Sequence, residues 1–137
     1  ARSAADYAPR GVTYRYMQGD TADLTAELTE DALTRSGINV FLLIDENGRL
    51  ISSWFVDLGL GTFTETDQAV VDAVLSARGL TDPGDPRFHV ATAIDYGSGV
   101  MLVASHSITT SDMYGVPEGT LVVGRYLDPA EIVTIAA

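Results

Sequence analysis

The sequence predicts an α+β domain: helices packed on a mostly antiparallel, five-stranded sheet. Three observations carry that prediction. Residues 38–45, "INVFLLID", are apolar on both faces, which suits a strand covered from both sides and central in its sheet. Short strand-like runs bounded by Gly, Pro, Asn and Asp fall into two groups, before and after an amphipathic stretch at residues 66–79. The first 37 residues carry helical patterning instead. The expected organisation is one domain over 1–137, with a helical segment at 1–37, the sheet and its helix at 38–128, and a C-terminal helix or linker at 129–137.

Taken in order, residues 14–17 have helical potential, while Pro9 and Gly11 break any longer helix there. In "TADLTAELTEDALTRSG", Leu24, Leu28 and Ala32 lie four apart and stack on one helix face. Asp20 or Thr21 suits the start of that helix, and Gly37 suits a left-handed exit. Asn47-Gly48 then marks a tight hairpin between "INVFLLID" and the returning strand "LISSWFVD". "TETDQAVVDAVLSARG" places Val70, Val74 and Ala77 on one helical stripe that Gly79 ends. "LTDPGDPR" is a loop by composition. Three further strands follow in "FHVATAID", "VMLVASHSI" and "GTLVVGRYL". "DPAEIVTIAA" opens as a helix, with Asp128 as cap and Pro129 at the first helical position.

Composition excludes several classes of function. The net charge of −11 argues against nucleic acid, whose phosphates need clustered Lys and Arg, and against an anionic membrane surface. The absence of cysteine removes disulfides, thiolate catalysis and cysteine-based zinc sites. No apolar run reaches the ~18 residues of a transmembrane helix. The chain opens "ARSAADYAPRG", without Met or a signal-peptide apolar region, so a piece of a longer protein is expected.

Catalytic and metal motifs fare poorly. Ser105, His106 and Asp112 are close in sequence, yet neighbouring strand residues point to opposite faces, which parts Ser105 from His106. His89 and His106 fall on different strands without a metal-ligand spacing. "DENGRL" lacks the alternating oxygens and terminal Glu of a calcium loop. "LGLGTF" lacks the Lys or fingerprint of a phosphate cradle. No catalytic residue, metal ligand or cofactor is therefore expected.

Binding chemistry is better represented. Tyr7, Tyr14, Tyr16, Trp54, Tyr96, Tyr114 and Tyr126 pair apolar bodies with polar tips, a mixture suited to small-ligand pockets and equally to a core edge. Arg125 shares a strand face with Leu121, Val123 and Leu127, where a guanidinium needs a carboxylate, a ligand anion or a route to water. His106 falls with Leu102, Ala104 and Ile108, so a satisfied core histidine competes with a ligand contact. The candidate ligand-binding set is Trp54, Tyr96, His106, Arg125 and Tyr126.

Two long segments carry a family resemblance: "YRYMQG…LTEDALTRSGINVFLLIDENGRLISSWFVD" and "MLVASHSITTSDMYGVPEGTLVVGRYLD". Together they resemble the type-four CHASE domains, sensory modules grouped with the Cache and PAS-like folds. The match runs from about Tyr7 to Asp128, and its sharpest pieces are the helix into "GIN", the "D-x-x-G-R-L" hairpin and the strand "GTLVVGRYL". The resemblance implies an extracytoplasmic, PAS/Cache-like sensor between two membrane helices, upstream of a histidine kinase, diguanylate cyclase or phosphodiesterase module.

The leading expectation is a non-catalytic sensor that binds a small molecule between the sheet and the 57–88 connection and shifts the packing of the N-terminal helices. Its partners are then an unidentified small-molecule ligand and a second copy of the chain, with contact to the membrane through flanking helices alone. Two other readings stand beside it: a structural or protein-interaction module without a small ligand, and a small hydrolase built on His89, His106 and an acid.

Overall fold

The protein is described by a computed structural model over residues 11–19, 21–77, 79–80, 89–108 and 119–127. The elements in chain order are α1 (Gly11–Met17), α2 (Ala22–Glu27), α3 (Glu30–Ser36), β1 (Val40–Asp45), β2 (Leu50–Asp57), β3 (Thr62–Phe63), α4 (Gln68–Ser76), β4 (His89–Asp95), β5 (Val100–Ser107) and β6 (Gly119–Tyr126). The strands form one sheet in the order β3-β2-β1-β6-β5-β4. All its pairings are antiparallel.

The apolar run at residues 38–45 does become the central strand. β1 lies between β2 and β6, and its five residues from Val40 to Ile44 are buried. Its alternation feeds two cores. Phe41 and Leu43 join Leu121 and Val123 of β6 under Leu24, Leu28 and Leu33 of the N-terminal helices. Val40, Leu42 and Ile44 join Met101, Val103 and Val122 under Val70, Val71 and Val74 of α4. Phe41 is fully buried, so truncating it to Ala costs about 3–5 kcal/mol through lost transfer energy and the cavity left behind.

Three expectations need correction. The sheet has six strands, because Thr62–Phe63 pairs with Val56 and Asp57 of β2. So short a strand shows no apolar alternation; a backbone turn and the Glu30 carboxylate, which accepts the Phe63 N–H at 2.6 Å, hold it in place. The helix expected to run on from residue 21 is two helices. Thr29 is extended and its hydroxyl accepts the Ala32 N–H, so α3 has a cap of its own, while the Thr21 side chain makes no capping bond. Leu24 and Leu28 are buried as expected, but Leu33 takes the place assigned to Ala32. α4 is shorter than 66–79: Asp67 caps its start, accepting the Ala69 N–H, and the helix ends at Ser76.

Gly37 does close α3 in the left-handed region, with φ 70°. The β1–β2 hairpin also forms as expected. Asp45 Oδ1 accepts the N–H groups of Asn47 and Arg49, and Gly48 supplies the positive φ. The expected helix at 129–137, the loop at 81–88 and residues Tyr7, Asp112 and Tyr114 lie outside the described residues.

Candidate functional site

A cavity of about 510 Å³ opens at the end of the sheet where β1 starts and where β2 and β6 finish; Asn39, Asp57, Thr64, Arg125 and Tyr126 are among its lining residues. The sequence builds this end deliberately. Asn39 precedes β1 by one residue and acts as an extra rung. Its N–H reaches the Gly124 carbonyl at 2.9 Å and its carbonyl accepts the Val56 N–H at 2.8 Å. Its side chain repeats the bridge: Nδ2 donates to the Val56 carbonyl at 3.1 Å, and Oδ1 accepts the Tyr126 N–H at 3.0 Å. Four bonds therefore hold β2 and β6 apart at a fixed spacing around a buried amide.

On the β2 side, Asp57 Oδ1 accepts the N–H groups of Gly59 and Leu60 at 2.8 and 3.0 Å, folding the chain back towards β3. Such side-chain-to-backbone bonds make a turn without secondary structure. The first residues of the 57–88 connection, Asp57, Leu58 and Gly59, thus form part of the cavity wall.

On the β6 side, Arg125 and Tyr126 both reach the cavity, from opposite faces of the strand. Arg125 lies on the face of Leu121 and Val123, as the alternation predicts, and also lines a second cleft of about 350 Å³ with Gly37, Leu102 and Ala104. Tyr126 lies on the α4 face. Its ring meets Tyr96 edge-on with centroids 5.5 Å apart, and its hydroxyl donates to Asp67 Oδ2 at 3.3 Å. Burial pushes the Tyr126 phenol above its ordinary pKa, and the nearby Asp67 carboxylate pushes it the same way. The one Asp67 side chain caps α4 and holds Tyr126, coupling that helix to the strand that carries Arg125.

The five predicted residues do not converge. Arg125 and Tyr126 share the sheet-end cavity, and Tyr96 supports Tyr126. Trp54 stands apart. It packs edge-on against Phe41 and Tyr16 at 5.4 and 5.8 Å, and borders a separate cavity of about 500 Å³ near β3. His106 shares the sheet face of Arg125 but pairs with Leu121, while Arg125 pairs with Leu102. Four residues along β5 separate them, roughly 13 Å. His106 is buried, its Nδ1 is 3.0 Å from the Ser107 carbonyl, and its ring stacks on His89 at 5.8 Å.

Asn39, Asp57 and Asp67 were missed as site residues. Their signals were present: an Asn at the mouth of an apolar run, and Asp residues directly before a Gly-rich turn and a helix.

Ser105 and His106 occupy opposite faces of β5, so the simplest nucleophile–base pair is not formed. Ser105 is buried, and among the described residues its hydroxyl finds no hydrogen-bond partner. Among the described residues there is no cluster of three or more His, Asp or Glu suited to a metal ion. No helix among them is long and apolar enough to cross a membrane.

A family profile described as the CHASE4 domain matches residues 1–137. The chain belongs to the CHASE4 domain family. CHASE4 domains are sensory modules, not catalytic ones, and CHASE domains act outside the cytoplasm. Comparison with curated proteins finds no match.

Proposed function

We propose that this CHASE4 domain is the extracytoplasmic ligand-binding unit of a transmembrane receptor, such as a histidine kinase or a cyclic-dinucleotide enzyme, and that it is not itself catalytic. The observation that carries the reading is the sheet-end cavity of about 510 Å³ with Arg125 among its lining residues. Pockets that enclose small molecules run to roughly 300–1,000 Å³ and orient them with a few polar groups. A guanidinium has five N–H donors in a planar fork, enough to serve an internal partner and a ligand carboxylate together. The ligand class is thus a small molecule with an anionic group. The strand order supports a PAS/Cache-like architecture: central β1 flanked by β2 and β6, with the β4–β5 hairpin beyond.

Signal transfer follows from the same contacts. A ligand that draws Arg125 shifts the end of β6, and the Tyr126–Asp67 bond passes that shift to α4. Such a change needs unequal affinity for two packings, since equal affinity moves nothing. The test is a thermal-shift screen of small carboxylates against their amide and alcohol analogues. Saturable stabilisation by carboxylates alone supports the reading, because a ligand that binds the native state raises its apparent stability. No stabilisation by any member of the panel would favour a module that acts by protein contact.

A further inference from the structure

β4 is an outer strand of the sheet and, among the described residues, pairs with β5 alone. Its sequence, HVATAID, contains no Lys, no Arg and no Pro, the residues that usually blunt a sheet edge. Ala91, Thr92 and Ala93 at its middle are exposed, as are both its ends. In a chain of net charge −11, this strand carries a single acid, Asp95.

The direction of the backbone groups that β4 does not turn towards β5 can be worked out. The Tyr96 N–H bonds to the Gly99 carbonyl across the β4–β5 turn. Antiparallel bonding alternates from there, so Ile94, Thr92 and Val90 face β5, while His89, Ala91, Ala93 and Asp95 present their N–H and C=O groups outwards.

We infer that β4 is a homodimerisation edge: it pairs antiparallel with β4 of a second copy about a two-fold axis at Thr92, joining two six-stranded sheets into one. The strand reads almost the same in both directions, as an isologous contact requires. With Thr92 opposite Thr92, Ala91 meets Ala93, Val90 meets Ile94, and His89 meets Asp95. The pairs that exchange backbone bonds are then Ala91 with Ala93 and His89 with Asp95, the same residues whose groups point outwards. Val90 and Ile94, both partly buried on the α4 face, extend that core across the axis. Each end sets an imidazole beside a carboxylate, while a shift of the axis by one residue either way breaks both of those pairs. The inference does not depend on a small-molecule ligand.

The experiment uses the 137-residue chain and sedimentation equilibrium over a range of concentrations. The wild type is expected to dimerise, and Thr92→Lys, which sets like charges side by side at the axis, to raise the dissociation constant about tenfold or more. Circular dichroism and thermal melting check that the variant stays folded, as an exposed substitution should. The chain has no cysteine, so Thr92→Cys supplies an independent reading. Residues opposite each other without hydrogen bonds have Cα atoms about 4.5 Å apart, inside disulfide reach. Mild oxidation should therefore link Thr92→Cys into a covalent dimer and leave Ser98→Cys, in the turn beyond β4, monomeric. A wild type that stays monomeric and does not cross-link at Thr92→Cys would overturn the inference. So would a dimer that forms equally well in folded Thr92→Lys.

Discussion

Asn39 Oδ1 accepts the backbone N–H of Tyr126 at 3.0 Å, across 87 residues of chain. The bond links the strand that carries Arg125 and Tyr126 to the start of the central strand, and fixes the shape of the sheet-end cavity. Removing the amide with Asn39→Ala leaves the Tyr126 N–H and the Val56 carbonyl short of partners. The expected loss is about 2–3 kcal/mol in urea unfolding. Asn39→Asp keeps an acceptor for Tyr126 but turns a carboxylate towards the Val56 carbonyl, and should not restore wild-type stability.

The Tyr126–Asp67 contact predicts an alkaline loss of stability. The ordinary phenol pKa is 10.0, and in the fold it is raised. The native state therefore holds the proton more tightly than the unfolded chain, and the stability gained is fully present below about pH 10. Above that pH the unfolded phenol ionises first, and stability falls until the folded phenol ionises as well. Denaturation of Tyr126→Phe, followed between pH 8 and 11, should fall less steeply than wild type over the upper part of that range.

Gly119 opens β6 opposite Asp45 with φ +148°, and a Cβ there would lie 2.0 Å from the Ile44 carbonyl oxygen. Backbone cannot yield as a side-chain tip can, so Gly119→Ala should unfold the domain or shift the β1–β6 register. Gly48→Ala in the exposed hairpin meets nothing within 4 Å and should cost about 1–2 kcal/mol for its left-handed backbone alone. Urea midpoints of the two variants compare them directly.

Ser105 buries a hydroxyl on the α4 face that finds no partner among the described residues. Removing an unsatisfied polar atom relieves its desolvation cost, so Ser105→Ala should be neutral or stabilising by up to about 1 kcal/mol. A serine held in a hydrogen-bond network would behave otherwise. A clear loss of stability in Ser105→Ala would show that the hydroxyl has a structural role.

Much of this fold was legible because burial leaves a period in the sequence. Continuous apolarity at residues 38–45 predicted a strand covered on both faces, and Phe41 and Leu42 do feed separate cores. The six-stranded sheet was under-counted because Thr62–Phe63 is held by the backbone and by Glu30, which leave no apolar pattern. The break at Thr29 is written as a capping residue followed by two acids, but the four-residue spacing of Leu24, Leu28 and Ala32 runs straight across it. The site was less legible. Side-chain chemistry singles out Trp54, Tyr96, His106, Arg125 and Tyr126, and only strand pairing decides which of them meet. Alternation alone sets the neighbours Arg125 and Tyr126 on opposite faces, and a cavity at a strand end is one of the few places both can line.

The most direct test of the sensor account is calorimetric titration of the carboxylate that most raises the melting temperature into wild type and Arg125→Met. Met keeps much of the side-chain length and removes the guanidinium. The account predicts saturable binding to wild type and at least about a tenfold weaker affinity in a variant with an intact fold, as expected when a charge-assisted hydrogen-bond pair is lost. Equal affinity in the two proteins would contradict it.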